Sequence, residues 1–283
     1  MSEPRLDYAE GGEPPEGLYQ YDRTLNKRVP TVDDVNEEEL GFFHEHGYLV
    51  VDELLNEEEI QDAKEALTEL IDDETFENVF FETHKFDEIE DDFEDLSPAE
   101  KLPYVRKFSH YEDADDRLHH TCFHPDLLEI VSRLVDGEPH HFQSMALIKP
   151  PGGREKPWHQ DKAYFELSLE APVVGVWIAL DEATAENGCM HIIPDSHKEG
   201  PVLHFRERDF QICDTDVQVD RDVMAPLQPG GVLFFDGLIH HGTPPNRSDT
   251  LRRALQYHYT AEHVEWLDDK LAEFNAEGKD VEC

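Results

Sequence analysis

The segment 157–161, PWHQD, places an imidazole and a carboxylate two positions apart, at His159 and Asp161. In an extended chain, residues i and i+2 lie on the same face, so these two side chains point together while Trp158 and Gln160 point away. A neutral imidazole and a carboxylate are two of the three ligands in the 2-His-1-carboxylate site that binds non-haem Fe(II). The H-x-D spacing arises easily by chance, so it indicates a metal site only together with a third ligand.

The third ligand is expected on a later strand. Residues 230–242, GGVLFFDGLIHHG, are typical of a strand that ends in two adjacent histidines, His240 and His241. The residue pattern alone leaves open which of these two imidazoles faces His159. With either one, three ligands would occupy one face of an octahedron and leave three positions for a co-substrate and oxygen.

Two adjacent arginines begin another predicted strand, 252–259, RRALQYHY. Arg252 would share a face with Ala254 and Gln256, which leave room for a small ligand. A planar guanidinium can bind both oxygens of a carboxylate, so Arg252 suits an anionic co-substrate. Arg253 would lie on the opposite face, among larger side chains. Surface ion pairing is the alternative explanation for both arginines in so acidic a chain.

The chain from about residue 139 onward supplies the strands that must position these residues. Short runs with β-like composition are separated by turn residues, and no long helical pattern interrupts them. This pattern predicts a β-sandwich or barrel of the jelly-roll type. The runs are HFQSMALI (141–148), VVGVWIAL (173–180), CMHIIP (189–194), GVLFFD (231–236) and RRALQYHY (252–259).

The part of the chain before these strands is predicted to be mainly helical. Helical periodicity covers 36–46, 56–71 and 125–135, and a strand is expected at 47–55. We expect a flexible or loosely docked N-terminal arm (1–30) and one domain (31–283), with a helical part at about 31–138 and a β core at about 139–260. The acidic segment 86–95 is predicted to be an exposed loop, and 261–278 a short helix.

Composition excludes some classes of function. The 283 residues contain 66 acidic and 24 basic side chains, which gives a net charge of −42. Such a chain would be repelled by nucleic acids and by anionic membrane surfaces. We find no apolar run near the ~18 residues of a membrane-spanning helix and no apolar signal-peptide region. The acids occur along almost the whole chain, which favours adaptation to high salt over local solvated faces.

The four cysteines are Cys122, Cys189, Cys213 and Cys283. They are scattered, without a C-x-x-C pair or the dense spacing of a small disulfide-rich scaffold. We therefore expect reduced thiols in a cytoplasmic protein.

An ordered series of motifs over about residues 40–260 resembles the phytanoyl-CoA dioxygenase family of Fe(II)- and 2-oxoglutarate-dependent oxygenases. Besides PWHQD and RRALQYHY, the series contains GYLVV, QSMALIKPPG, VGVWIALDEATAENGCMHIIPDSHKEG and GVLFFDGLIHHGTPPNRSD. The resemblance implies a mainly β fold with flanking helices and a double-stranded β-helix core, a cupin-like jelly roll. This fold agrees with the strands predicted independently from the residue pattern.

The resemblance also implies the residues of the site. It selects His241 as the iron ligand beside His159 and Asp161, because Thr243 and Arg252 then stand two and eleven positions later, as in the family. Arg252 would bind the C5 carboxylate of 2-oxoglutarate, assisted by Thr243. Other side chains fall at or near family positions that contact this co-substrate: Met145, Trp177, Gln160 and, after a one-residue gap, Lys107. His240 would be an outer partner of the metal site or an exposed neighbour.

The implied reaction consumes O₂ and 2-oxoglutarate, releases CO₂ and succinate, and hydroxylates a small organic substrate; ascorbate is the expected reductant in vitro. Lys149, Arg154, Lys156 and Lys162 surround the H-x-D motif. They indicate either local ion pairs or a basic rim for an anionic substrate such as an acyl-CoA. The alternatives are a cupin-like isomerase or hydrolase and a non-catalytic binding module, neither of which needs Arg252. Neither the substrate nor the oligomeric state follows from the sequence.

Overall fold

The computed structural model describes residues 4–7, 12–279 and 281–283. Helices are concentrated before residue 135: α1 Glu37–His46, α2 Glu57–Glu69, α3 Thr83–Phe86, α4 Pro98–Lys101, α5 Asp116–Cys122 and α6 Pro125–Leu134. Strands before α6 are β1 Arg5–Asp7, β2 Val29–Thr31, β3 Tyr48–Glu53, β4 Val79–Glu82 and β5 Val105–Ser109. The later strands are β6 Pro139–Lys149, β7 Lys156–His159, β8 Val174–Ala179, β9 Met190–Ile193, β10 His204–Arg206, β11 Phe210–Ile212, β12 Val223–Ala225, β13 Val232–Asp236, β14 His240–Thr243 and β15 Arg252–Ala261.

Two sheets form the β core. In the described residues the larger sheet has the order β1-β4-β5-β6-β15-β8-β13-β3-β2, and the smaller one β12-β9-β14-β7. Central neighbours such as β6, β15, β8 and β13 are antiparallel. This arrangement confirms the predicted fold class, a mainly β double-stranded β-helix with flanking helices.

Alternation along the strands divides the interior into two layers. On β8, Val176 and Ile178 pack with helical residues such as Leu67 in one buried cluster. Trp177 and Ala179 point the other way and pack with residues of the smaller sheet, β9 and β12, in a second cluster. Since side chains at i and i+2 share a face, the face of each central strand that turns away from the helices must line the space between the two sheets.

Helix α2 shows how local sequence places the outer layer. The Asn56 side chain accepts hydrogen bonds from the backbone N–H groups of Glu58 and Glu59, at 2.9 and 3.1 Å. Glu59 in turn accepts from the Asn56 backbone N–H at 2.8 Å, which completes a capping box. Ile60, Ala63 and Leu67 are buried, as the helical periodicity predicts.

One secondary-structure expectation is wrong, that of a helix in 261–278, and the exposed loop expected at 86–95 is only partly exposed. Segment 86–95 exposes its acids, but Phe86 and Ile89 are buried in the core beside Phe81, so the segment is anchored by its apolar side chains. In 261–278 the only helical turn in the described residues is the 3-10 turn Ala272–Phe274. The segment instead packs along the β core, where Phe274 is buried and the Ala276 N–H donates to the His204 carbonyl at 3.1 Å.

Of the two alternatives for residues 1–30, the flexible arm is wrong where the structure describes the segment, because it is docked on the β core. Leu18, Tyr19 and Leu25 are buried. The Tyr19 ring stacks on Trp158, with centroids 5.5 Å apart, and its hydroxyl donates to Glu155 at 2.9 Å. The segment is polar on average, but these few apolar side chains pack against the smaller sheet and hold it in place.

The expectation of four reduced thiols is wrong for two of them. Cys213 and Cys283 form a disulfide across 70 residues, because the C-terminal segment returns to the β10–β11 region. Cys122 and Cys189 are free and buried. Among the described residues, no helix combines the length and hydropathy needed to cross a membrane.

Candidate active site

His159, Asp161 and His241 meet between the two sheets. His159 ends β7 and pairs directly with His241 on the antiparallel strand β14. Asp161 follows in the turn after β7, and its Oδ1 lies 3.2 Å from His159 Nε2 and 3.5 Å from His241 Nε2. All three residues are buried, and their ligand atoms lie within 4.8 Å of one another. The structure therefore brings together the three ligands that the resemblance implied.

Backbone carbonyls orient both imidazoles. His159 Nδ1 lies 2.7 Å from the Pro157 carbonyl, and His241 Nδ1 lies 3.1 Å from the Ile239 carbonyl. A carbonyl can only accept, so Nδ1 carries the proton and the Nε2 lone pair faces the cluster. Burial, together with the nearby His241, lowers the pKa of His159 to about 4, which keeps this imidazole neutral.

The second carboxylate oxygen of Asp161 is held by the central strand β15. Its Oδ2 lies 2.7 Å from His258 Nε2 and accepts from Gln256 Nε2 at 3.3 Å. Burial opposes ionisation of this carboxylate, but the imidazoles of His241 and His258 hold the pKa of Asp161 well below its usual range. Strand alternation places Gln256 and His258 on the face of Arg252, but the residue pattern does not show that they contact the metal ligand.

The donor set fits Fe(II). Two neutral imidazoles and one carboxylate are the ligands of the non-haem iron facial triad. His241 Nε2 is buried and has no hydrogen-bond partner among the described residues, so it lacks the interaction that a metal ion would supply. Outer hydrogen bonds to all three side chains fix their orientation before any metal binds.

The same three residues line a cavity of about 300 Å³. Arg252 lies in its wall with 1% of its surface exposed. Its Nη2 donates to the Gly188 carbonyl at 3.2 Å, whereas Nε and Nη1 are buried without a partner among the described residues. Burial, and then the charge of Arg106, lowers the pKa of Arg252 to about 9. A buried guanidinium with two unused donor nitrogens fits a carboxylate such as that of 2-oxoglutarate.

Thr243 also lines the cavity, but its hydroxyl is already engaged. It accepts a hydrogen bond from Lys149 Nζ at 2.7 Å, and this ammonium also donates to the Thr243 and Pro244 carbonyls at 3.0 and 2.5 Å. Burial, and then Arg252, holds the pKa of Lys149 well below its usual range. Lys149 is opposite Arg252 in the β6–β15 register, so strand pairing could have identified it as a neighbour of the co-substrate site.

The remaining expected co-substrate contacts divide into two groups. Met145, Trp177 and Lys107 line the cavity, and the Arg252 guanidinium lies 5.2 Å from the Trp177 ring centroid. Gln160 does not reach it: its side chain donates to the Gly200 and Leu238 carbonyls, at 2.9 and 2.7 Å. The role expected for Gln160 is therefore wrong, because strand alternation turns it to the opposite side of His159.

The basic residues near the H-x-D motif have different surroundings. Lys156 pairs with Asp209 at 2.7 Å, and Arg154 lies 3.2 Å from Asp7. Lys162 donates to the Leu169 and Ala171 carbonyls, both at 2.6 Å. The ion-pair interpretation therefore holds for Arg154 and Lys156, whereas Lys162 donates its hydrogen bonds to backbone carbonyls.

Arg106 is a further buried cation in the cavity wall, and no sequence motif marks it. It is 7% exposed, and its guanidinium donates to the Arg154 and Glu155 carbonyls at 3.4 and 3.2 Å. Nothing in its own sequence pattern distinguished it from the adjacent Lys107.

His240 faces away from the metal cluster. Both of its ring nitrogens are buried without a partner among the described residues, and burial lowers its pKa to about 4. Its backbone N–H donates a hydrogen bond to Ser196 Oγ at 2.8 Å. Alternation along β14 therefore separates the two adjacent histidines.

Comparison with known proteins agrees with this geometry. A family model described as phytanoyl-CoA dioxygenase (PhyH) matches residues 43–254. A zebrafish (Danio rerio) relative, phytanoyl-CoA dioxygenase domain-containing protein 1, is 28% identical over 280 residues, which cover 83% of this chain and 94% of the relative.

Solved structures show the same fold. The non-haem alpha-ketoglutarate-dependent carbocyclase SnoK from nogalamycin biosynthesis has a TM-score of 0.64 at 22% identity, over 84% of this chain and 89% of SnoK. EvdO2 from Micromonospora carbonacea var. aurantiaca, complexed with 2-oxoglutarate, has a TM-score of 0.62 at 24% identity, over 88% of this chain and 98% of EvdO2. Since the family model spans more than half of the 283 residues, the chain belongs to the phytanoyl-CoA dioxygenase family.

Proposed function

We propose that this chain, an Fe(II)- and 2-oxoglutarate-dependent dioxygenase, uses His159, Asp161 and His241 to hold iron and hydroxylates a small anionic organic substrate. One observation carries the proposal: the three ligands face the same cavity as the unsatisfied guanidinium of Arg252. A cavity of about 300 Å³ has room for 2-oxoglutarate and part of a substrate beside it.

Each residue has a defined task in this proposal. His159 and His241 present Nε2, and Asp161 presents Oδ1, toward one point. When bound there, iron supplies the oxidising chemistry that couples O₂ and 2-oxoglutarate to hydroxylation of a C–H bond. Arg252 binds the distal carboxylate of 2-oxoglutarate, and its side chain is held in place by the Gly188 carbonyl and the Trp177 ring. The buried walls exclude water from the reacting atoms.

Arg252 distinguishes this function from the other metal-dependent classes. An isomerase or hydrolase with the same three ligands needs no buried guanidinium beside them. A buried charge without a counter-ion is costly, so its presence indicates an anionic partner. A non-catalytic module would need neither the oriented imidazoles nor the brace that His258 gives to Asp161.

The cations of the cavity support an anionic substrate. Arg106 donates to backbone carbonyls and, among the described residues, not to a carboxylate. Lys107 reaches the cavity from the same strand, β5, and lies 3.7 Å from Asp7. If Arg252 binds the co-substrate, Arg106 is available for a second anionic group, such as the carboxylate or phosphate of a substrate. An acyl-CoA or another anionic metabolite meets this requirement.

Succinate formation tests the reaction. Purified protein supplied with Fe(II), ascorbate and 2-oxoglutarate should form succinate, even at the slow rate of substrate-free turnover. Asp161→Ala should lose both the iron and the succinate, because two imidazoles remain and the carboxylate ligand is gone. Full succinate formation by Asp161→Ala would show that the ligand assignment is incorrect.

A paired substrate screen tests the charge of the substrate. Each carboxylic acid, phosphate or acyl-CoA should be compared with its neutral ester or amide, with succinate formation as the measurement. The anionic member should stimulate turnover more strongly, and Arg106→Met should reduce that difference without abolishing basal turnover. Equal stimulation by neutral members would rule out an anionic substrate.

We further propose that the enzyme works in the cytoplasm at high ionic strength. The net charge of −42 supports the proposal of high ionic strength, because closely spaced like charges destabilise the fold unless salt screens them. The buried free thiols of Cys122 and Cys189 are compatible with a reducing compartment. In such a compartment the Cys213–Cys283 disulfide would be exposed to reduction.

A further inference from the structure

A second cluster of metal-binding side chains lies on the outer helices. Glu59 stands in the first turn of α2, His120 in the last turn of α5, and His124 immediately before α6. Glu59 Oε1 lies 2.9 Å from His120 Nε2 and 3.4 Å from His124 Nε2. These three residues belong to different elements from His159, Asp161 and His241, so the cluster is separate from the iron site.

The spacing suits a transition-metal ion. Ligands bound to Zn²⁺ at ~2.0–2.2 Å in a tetrahedron lie about 3.4 Å apart. The Glu59–His124 separation of 3.4 Å already has this value. The Glu59–His120 separation of 2.9 Å must widen by about 0.5 Å, which a half-exposed histidine at the end of a short helix can allow.

His124 provides an independent indication of a ligand. It is 8% exposed, and its Nδ1 is buried without a partner among the described residues. Its Nε2 faces the carboxylate of Glu59 at a distance longer than a good hydrogen bond. The metal would bind Nε2, which has only this weak contact with Glu59, so a metal ion would give this nitrogen a stronger partner.

The other oxygen of Glu59 prepares the carboxylate for this role. Glu59 Oε2 accepts the Asn56 backbone N–H at 2.8 Å in the α2 capping box, so Oε1 is held toward the two imidazoles. Asp62 and Asp116 line the adjoining surface pocket with Glu59 and His120, and the one cation in its lining among the described residues, Arg117, is paired with Asp115 and Glu69. These carboxylates add negative potential around the cluster and favour a cation.

We propose that Glu59, His120 and His124 form a second metal site, which binds a divalent transition-metal ion such as Zn²⁺. Two imidazoles and a carboxylate are suitable zinc ligands, and a water molecule can occupy the fourth position beside half-exposed His120. Bound metal fastens α2 to the corner between α5 and α6, and thus stabilises the helical layer that covers the larger sheet.

Zinc stoichiometry tests the proposal. The full chain, stripped of metal by a chelator, is titrated with Zn²⁺ alone by equilibrium dialysis in molar KCl. Wild type should bind two Zn²⁺ per chain, and Asp161→Ala should retain one, because only the iron ligands are disrupted. Loss of all zinc in Asp161→Ala would overturn the second site. Retention of two Zn²⁺ per chain would instead contradict the assignment of Asp161 as an iron ligand.

Matched variants in the Asp161→Ala background then locate the remaining ion. Glu59→Gln keeps an acceptor oxygen for the α2 capping box but loses the anionic ligand. Both Glu59→Gln and His120→Ala should weaken the remaining zinc by more than about 100-fold, since even outer partners of metal ligands change affinity by ~10- to 100-fold. Unchanged zinc affinity in both would refute the site.

His119→Ala is the control. Its side chain is 52% exposed, against 53% for His120, and His119 Nδ1 lies 3.1 Å from the Glu112 carbonyl rather than at the cluster. This variant should bind zinc as its parent does. Zn²⁺ should also raise the melting temperature of the Asp161→Ala parent but not that of its His120→Ala derivative.

Discussion

Arg252 and Arg253 are adjacent residues with different surroundings, because side chains alternate along β15. Arg252 faces the cavity between the sheets with 1% of its surface exposed. Arg253 faces the helical side, where Nε and Nη2 donate to both oxygens of Asp181 at 2.7 and 2.9 Å. The Arg252 guanidinium therefore has unpaired donor nitrogens, whereas the Arg253 guanidinium is paired with a carboxylate.

We expect Arg252→Ala to raise the 2-oxoglutarate KM by roughly 30- to 3,000-fold, because removal of one member of a desolvated charge pair costs ~2–5 kcal/mol. Iron binding should remain, since Arg252 contacts none of the three ligands. Arg253→Ala is the matched control and should change this KM little. A larger KM effect at Arg253 would contradict the assignment of the two faces.

The adjacent histidines on β14 allow a similar comparison. His241→Ala should abolish iron binding, because it removes a ligand whose Nε2 lies 3.5 Å from Asp161 Oδ1. His240→Ala should keep measurable iron binding, since its ring faces away from the cluster. Iron content of the two purified variants, measured after loading under nitrogen, checks this prediction, and the reverse result would move the ligand by one residue.

Individual site residues were predictable to different degrees. The H-x-D spacing and the alternation of β15 correctly brought His159, Asp161 and Arg252 to one cavity. The co-substrate contact predicted for Gln160 was wrong, because it followed the family position although strand alternation turns this side chain away from His159 and Asp161. Lys149, on the larger sheet, contacts Thr243 on the smaller sheet across the space between them, and no local pattern contains that information.

At the scale of elements, the C-terminal segment is fastened by a disulfide and by packing. Cys213 and Cys283 are linked across 70 residues, and Phe274 is buried beside His204. His204 Nε2 in turn accepts the Gln160 backbone N–H at 3.0 Å, next to both H-x-D ligands. The tail therefore supports, through two contacts, the turn that carries Asp161.

Reduction of this disulfide should lower the free energy of unfolding by about 2–4 kcal/mol, because closing a long loop constrains the unfolded chain. Denaturant unfolding with and without dithiothreitol measures the change. Cys283→Ser should match the reduced wild type and show no further response to the reductant. Identical unfolding of wild type under both conditions would show that the bond does not form in solution.

Elements with strong periodicity were predictable, and docked irregular segments were not. Helix α2 was predicted from its helical periodicity over 56–71, and Ile60, Ala63 and Leu67 are buried as that periodicity requires. The N-terminal segment has no periodicity, but Leu18 and Tyr19 are buried against the smaller sheet. A few isolated apolar residues can fix a loop to a preformed surface, and composition alone does not show which surface that is.

For the whole molecule, the distribution of charge is the dominant feature. Among the described residues, burial removes as many acids as bases from the surface: Glu39, Glu82, Glu155, Asp161 and Asp222 against Lys101, Arg106, Lys149, Lys162 and Arg252. The exterior therefore carries nearly all of the net charge of −42 on an accessible surface of 13009 Å². That is about 310 Å² per net charge, or about 18 Å between neighbouring net charges if they are spread evenly.

This spacing predicts a strong dependence of stability on salt. At 0.01 M salt the Debye length is ~30 Å, so net charges about 18 Å apart repel one another, whereas at 1 M it is ~3 Å and the repulsion is screened. Unfolding moves these charges apart, so the melting temperature should rise steeply between 0.01 and 1 M KCl or NaCl. Activity should rise with it, because the folded fraction increases.

A charge-neutralised variant separates screening from other effects of salt. Glu88, Glu90 and Asp91 are exposed acids in one segment, and their replacement by Gln, Gln and Asn removes three negative charges without disturbing buried Ile89. This variant should melt at a higher temperature than wild type in 0.01 M KCl and at nearly the same temperature in 1 M KCl, because screening has already removed the repulsion there. Thermal unfolding followed by circular dichroism measures both values. A flat dependence of the wild-type melting temperature on salt would exclude the high-salt interpretation, since repulsion among the surface carboxylates would then contribute little to the stability of the fold.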